Sequence, residues 1–194
     1  EELEAEIDKK LSALNFAKET EEKSEKVMPR VAIIGKPNVG KSSLVNAFMS
    51  EHQRQKSPLL VSDIPGTTRD STDTIVRYHE QDYSFVDTAG IRRKKSTEGE
   101  IETYAYFRSI QALEECDIAV LVLDASEPVS KQDKRIAGIA VEEGKGLIVL
   151  ANKIDKMEGE ARSQALRHIE YELSFCKFAL ILPCSANTRE GLLK

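Results

Sequence analysis

Residues 30–50 read "RVAIIGKPNVGKSSLVNAFMS". Three local patterns follow one another in this stretch. Val31–Ile34 is an unbroken apolar run rich in β-branched side chains, the mark of a strand covered on both faces. Gly35 and Gly40 then bracket Lys36, Pro37, Asn38 and Val39, a composition that favours a tight loop over regular structure. After Lys41, Ser42 and Ser43, the apolar residues Leu44, Val45, Phe48 and Met49 fall at helical spacing. A buried strand that runs straight into a helix calls for parallel partners, and the rest of the chain supplies them.

Downstream, "TDTIVRYHEQDYSFVDT" (72–88) predicts two antiparallel strands joined by a tight turn at Glu80–Asp82. "IETYAYFRSIQALEECD" (101–117) reads as helix and "IAVLVLDAS" (118–126) as a fully apolar strand. "KQDKRIAGIAVEEG" (131–144) reads as a helix closed by Gly144, and "GLIVLANK" (146–153) as another buried strand. An amphipathic helix over 158–175 and a last strand within "FALILPCSAN" (178–187) complete the series. The alternation predicts an α/β fold: an open, mostly parallel sheet with one antiparallel strand and helices on both faces. Such sheets bind ligands at the carboxyl ends of their strands.

Upstream, residues 1–28 differ. Leu3, Ile7, Leu11 and Leu14 form a short helical stripe among acids and lysines, and "AKETEEKSEK" (17–26) lacks any large apolar residue. A charged helical linker from a preceding domain is expected there, with one domain over 29–194. The chain does not begin with Met and stops at "EGLLK", so a piece cut from a longer protein is expected. Composition agrees with a single folded domain: 194 residues, 40% hydrophobic, 31% charged. A net charge of −5 excludes general polyanion binding, so any nucleic-acid contact needs a local basic patch. Cys116, Cys176 and Cys184 have no metal-site or disulfide spacing, which points to buried reduced thiols and a cytoplasmic setting. No apolar run is long enough to span a bilayer.

The chemistry lies at the predicted strand ends. "GKPNVGKS" (35–42) matches G-x-x-x-x-G-K-[ST] in the required strand–loop–helix context. Its backbone N–H groups would face the β-phosphate, Lys41 would reach the β- and γ-phosphates, and Ser42 would give its hydroxyl to Mg²⁺. This establishes a nucleoside-triphosphate site without specifying the base. "NKID" (152–155) specifies it. Asp155, expected to be buried, can accept two hydrogen bonds from guanine N1–H and N2–H₂, a donor pair adenine lacks. Asn152 would bond the purine edge and the stem of Lys153 would cover the ring. In "CSAN" (184–187), Ser185 and the Ala186 N–H would support the base. "DTAG" (87–90) places Asp87 to hold Mg²⁺ through a water, followed by Thr88, Ala89 and Gly90, whose N–H would meet the γ-phosphate. "PGTTRD" (65–70) reads as an ordinary turn alone and as a first switch in this company.

In this order, the motifs resemble the translation-factor-like GTPases. "GKPNVGKSSLVN", "PGTTRD", "DTAGIRRKK" and "TEGEIETYAYFRSIQALEECDIAVLVLDAS" are similar to the second GTPase domain of the Der (EngA) family of bacterial tandem-G-domain proteins. The resemblance covers about residues 30–193. Ile154 departs from a frequent Trp, implying a packing change, and "LPCSAN" departs from the commoner ending of the base loop. The resemblance implies GTP and GDP as ligands with Mg²⁺, and action in large ribosomal subunit assembly through rRNA. It also implies contacts with a first GTPase domain and a following KH-like domain. A P-loop phosphotransferase or ATPase, and a non-hydrolysing G module, are the competing classes; Asp155 and phosphate release discriminate among them.

Ile91 occupies the position of the water-orienting glutamine of other GTPases and has no polar atom to orient water. Something else must supply charge stabilisation. A partner's arginine, or Arg69 or Arg92 in cis, is one source. The resemblance favours K⁺: Asn38 corresponds to the potassium-binding asparagine of cation-dependent relatives, with carbonyls of Ser62 and Ile64 around the ion, Thr67 beside them, and Thr68 left for Mg²⁺. The alternative for Asn38 is a hydrogen bond that fixes its own loop. Lys41, Asn38, Thr68 and Gly90 are thus the candidate catalytic set. "RRKK" (92–95) is either a solvated loop or a nucleotide-dependent contact.

Overall fold

The computed structural model describes residues 28–54, 73–78, 81–87 and 98–192. The elements are β1 (Arg30–Ile34), α1 (Lys41–Arg54), β2 (Thr74–Tyr78), β3 (Gln81–Val86), α2 (Glu98–Glu115), β4 (Ile118–Asp124), α3 (Lys131–Glu142), β5 (Gly146–Asn152), α4 (Gly159–Glu172) and β6 (Leu180–Pro183). They form a six-stranded sheet in the order β2-β3-β1-β4-β5-β6. Only β2 runs antiparallel to its neighbour. The fold class read from the sequence is therefore found.

The β2–β3 turn falls earlier than expected. Tyr78 pairs with Gln81 and Arg77 with Asp82, so Asp82 lies inside β3. Asp82 has turn-like chemistry in sequence, but its backbone pairs in register with Arg77 of β2 and so belongs to the strand. Residues 1–27 of the linker expected over 1–28, and the first-switch residues, lie outside the described residues.

Two cores sandwich the sheet. On one face, Ala119, Leu121 and Leu123 of β4 pack with Leu113, Ile136, Ala140 and Ile169 from α2, α3 and α4. On the other, Ile33 and Val122 pack with Leu44 and Val45 of α1. The two-residue period of a strand places alternate residues of β4 in different cores. The second core thins towards the edge strand β6, where Leu180 is 56% and Leu182 37% exposed. Ile154 is buried in the larger core, so the departure at that position is absorbed by packing.

Local capping fixes α3, which lies behind the phosphate loop. Ser130 and Asp133 form a reciprocal capping box at its start. At its end, Gly144 adopts φ 66°, and the N–H groups of Gly144 and Lys145 bond to the carbonyls of Val141 and Ala140. This 5→2 and 6→1 pattern ends the helix where Gly144 was expected to close it. Cys116, Cys176 and Cys184 are all buried free thiols, and burial pushes the Cys184 thiol up to about 11. Among the described residues no helix is long and apolar enough to cross a membrane.

Candidate nucleotide-binding site

β1 lies between β3 and β4, and its outgoing connection leads to the β3 side while that of β4 leads to β5. The crevice at this reversal receives the loop Gly35–Gly40. Gly35 has φ 136°, and a Cβ there would sit 2.5 Å from the Val122 carbonyl oxygen. Only glycine lets β1 turn this tightly against β4. Gly40, at φ 105°, has the Asn152 amide where its Cβ would be. The phosphate loop and the base loop thus touch directly.

Two side chains join the two loops. The Asn152 amide donates to the Val39 carbonyl at 2.7 Å and accepts from the Ala186 N–H at 3.0 Å. Asn152 is buried at 1% exposure, so these bonds tie three segments together, a task its motif does not announce. Lys153 adopts φ 66° and donates to the Asn38 carbonyl at 2.7 Å and to Asp124 at 2.6 Å. Asp124, the last residue of β4, is the buried counterion. Burial alone would raise its carboxyl, but hydrogen bonds from Lys153 and Ser126 outweigh that and hold it below the ordinary value. Sequence reading missed Asp124; an acid closing the apolar run "IAVLVLD" is the signal that would have found it.

Asp155 accepts from the Ser185 hydroxyl at 2.6 Å and from the Asn187 amide at 3.4 Å. The Ser185 bond chiefly holds its carboxyl below the usual range. The same Ser185 oxygen accepts the N–H groups of Asn187 and Thr188. Asp155 is exposed rather than buried as expected. It stands at the mouth of an open cleft of about 360 Å³, which Gly40, Ser43, Lys153 and Ala186 also line. An ionised acceptor beside the phosphate loop, oriented by Ser185, is the kind of group that a guanine edge requires.

At the phosphate end, Lys41 donates to the carbonyls of Gly35 and Lys36 at 2.6 and 2.5 Å. Burial lowers its ammonium to about 8, against the opposing pull of Asp133. Lys36 pairs with the buried Asp133 at 3.2 Å, a second acid that sequence reading missed. The pattern "SKQD" carried the signal, as a capping box. Asp87 directly follows β3 at φ 51°, pairs with Arg108 of α2 at 2.8 Å, and gives its N–H to Asp73 at 3.2 Å. Ser42 opens α1. A hydroxyl and a carboxylate are hard oxygen donors, and the described residues hold no cluster of three or more His, Cys, Asp or Glu that could bind a metal alone. That donor set fits Mg²⁺, which takes few protein ligands and completes its shell with phosphates and water. Ser62, Ile64, Thr67, Thr68, Arg69, Thr88, Ala89, Gly90, Ile91 and the basic run 92–95 lie outside the described residues.

Comparison with known proteins agrees with this geometry. Residues 30–153 match the family described as 50S ribosome-binding GTPase. The chain is 43% identical over 182 residues to GTPase Der of Lachnoclostridium phytofermentans, covering 93% of this chain and 40% of that protein. It is 48% identical over 161 residues to GTPase Der of Caldicellulosiruptor saccharolyticus, covering 82% and 36%. It therefore spans well under half the length of these curated relatives. Among solved structures it is similar to Era in complex with MgGDPNP and nucleotides 1506–1542 of 16S ribosomal RNA, with TM-score 0.57 and 29% identity over 85% of this chain and 53% of that one. The matched stretch carries the phosphate loop, Asp87 and the start of the base loop, and the resemblance to Der holds across most of the chain. This chain belongs to the 50S ribosome-binding GTPase family.

Proposed function

We propose that the chain is a guanine-nucleotide switch domain. It binds GTP and GDP with Mg²⁺, hydrolyses GTP to GDP and phosphate, and works within a longer bacterial cytoplasmic protein in large ribosomal subunit assembly. The observation that carries this reading is the ionised Asp155, held by Ser185 at the mouth of a cleft whose other wall is the phosphate loop.

The residues divide the work by position. Asp155 takes the guanine edge, and the Lys153 stem lies against the base while its ammonium is drawn back to Asp124. Lys41 exchanges two carbonyl partners for phosphate oxygens, regaining full charge on stronger acceptors. Ser42 and Asp87 would hold Mg²⁺, with Thr68 joining them only while the γ-phosphate is present. Bound Mg²⁺ would neutralise charge on the phosphates. Gly90 would donate to the γ-phosphate, and Thr88, Ala89 and Ile91 would line its surroundings.

K⁺ stimulation is the finer part of the proposal. The support is that Asn38 is exposed at φ 63°, and only its backbone carbonyl has a hydrogen bond among the described residues. Its side chain is thus not spent on fixing its own loop. With Ser62, Ile64 and Thr67 around the ion, charge would be placed where an arginine finger puts it. The family description and the RNA bound to Era support a ribosomal partner. Arg92, Arg93, Lys94 and Lys95 would serve that contact or one with a neighbouring first GTPase or KH-like domain.

Two measurements test the reading. Asp155→Asn is expected to weaken GTP about a hundredfold or more and to favour xanthosine triphosphate, which offers a carbonyl where guanine has its amine. Unchanged GTP preference would overturn the base assignment. Phosphate release should be faster in KCl than in NaCl at equal ionic strength, and Asn38→Ala should flatten the difference. Equal wild-type rates would return the catalytic charge to an arginine.

A further inference from the structure

Asp73 is the first described residue after the segment read as the first switch, and no motif includes it. Its side chain is 5% exposed. A carboxylate this buried needs partners, and Asp73 has three among the described residues. Oδ1 accepts the Asp87 backbone N–H at 3.2 Å. Oδ2 accepts from Arg30 Nη2 at 3.3 Å and from the Ser84 hydroxyl at 3.4 Å. Arg30 sits on β1 and also pairs with Glu115 of α2 at 2.9 Å. One carboxylate therefore connects the start of β2, the body and end of β3, and, through Arg30, both β1 and α2.

The bond to Asp87 is the functional one. Asp87 stands where β3 leaves the sheet, in a left-handed conformation that L residues other than Asn and Asp rarely adopt. Its carboxylate direction depends on where that backbone is held. Arg108 grips the carboxylate from α2, while Asp73 grips the main chain from the other side. We propose that Asp73 is a positioning residue for Asp87. It pins the backbone from which the second switch departs to the chain leading into β2. A metal-side carboxylate displaced by loss of an outer partner typically costs 10–100-fold in metal affinity or activity.

The inference rests on the assignment of Asp87 to magnesium, and its test separates the two. Arg30→Met/Asp73→Asn and Arg30→Met/Asp73→Ala both remove the ion pair, so neither buries a lone charge. Only the asparagine keeps an oxygen for the Asp87 N–H. The readout is release of a fluorescent GDP as Mg²⁺ is titrated, alongside single-turnover GTP hydrolysis, on the whole chain. The asparagine double variant should stay within about twofold of the unsubstituted chain. The alanine one should need about tenfold more Mg²⁺ to retain GDP, with release in EDTA the same for both. Arg30→Met/Asp73→Gln keeps the amide but moves its oxygen outward by one methylene. It should behave as the alanine form, and it repeats the comparison without a cavity. Coincident Mg²⁺ curves for the asparagine and glutamine forms, or for the asparagine and alanine forms, would overturn the proposal. Asp87→Asn is measured beside them. If it leaves the Mg²⁺ midpoint unchanged, the magnesium assignment fails; if it shifts the midpoint while the Asp73 forms coincide, only the role of Asp73 fails.

Discussion

At the base end of the cleft, Asn152 spends its amide on Val39 and Ala186, and Ser185 aims Asp155 outward. At the phosphate end, Lys41 is folded onto the carbonyls of its own loop and Asp87 is paired with Arg108. On the proposed reading, the base end offers Asp155 as an exposed carboxylate already oriented by Ser185. The phosphate end has its charged groups satisfied internally, so on the proposed reading they exchange partners when a ligand binds. The contrast separates two tasks: reading the base needs a preformed acceptor, whereas sensing phosphate needs groups that change allegiance.

The sharpest way to break the contrast is at Lys41. Lys41→Met should lower hydrolysis by about 10²–10³-fold, the loss expected when a group aimed at developing charge is removed. Because burial penalises its charge in the nucleotide-free protein, the same variant should leave the thermal midpoint without nucleotide unchanged or higher. A large drop in that midpoint would show that Lys41 is a structural tie like Asn152.

Asn152→Ala should do the reverse. It leaves the Val39 carbonyl and the Ala186 N–H without a partner, at a cost of about 1–3 kcal/mol for each buried group. Stability without nucleotide and GDP affinity should fall together, affinity by about tenfold or more. Denaturant unfolding and GDP titration check this, and a loss of affinity with full stability would place Asn152 on the base instead.

The smallest effect is in pH. Lys41 is charged below its value of about 8 and loses its proton above it. Bound phosphates favour the charged form, so binding above pH 8 must take up a proton, and affinity should fall by at most about tenfold per unit there. Folding responds with the opposite sign: the cost of the buried charge is present below pH 8 and is relieved as pH rises from about 8 towards the ordinary lysine value of 10.5. Asp155 sits below the usual carboxylate range, so base recognition should persist to lower pH than a free aspartate would allow. Calorimetry in buffers of different ionisation enthalpy reads the proton uptake directly, and its absence at pH 9 would contradict the burial of Lys41.

Much of this was legible in the sequence because it is local. The strand–loop–helix unit, the Gly144 stop and the placement of "NKID" at a strand end depend on residues within a few positions of one another. What was not legible is what depends on distance along the chain. Asn152 and Val39 are separated by 113 residues and Lys153 and Asp124 by 29, and no periodicity reports that they meet. Asp73, Asp124 and Asp133 look like surface acids in sequence, yet each is buried against a cation. The hairpin turn was misplaced for a related reason: Asp82 has turn-like chemistry, and its cross-strand position decides otherwise.

Cys184 gives the molecule a built-in clock. Its thiol lies fully buried, 4.0 Å from the Asn152 oxygen, and its raised value keeps it from forming the reactive thiolate near neutral pH. Alkylation at this position must therefore wait for the smaller core, which Cys184 shares with Val39 and Leu44, to open. The labelling rate of Cys184 in nucleotide-free and GDP-bound protein then reports how often that core opens in each state.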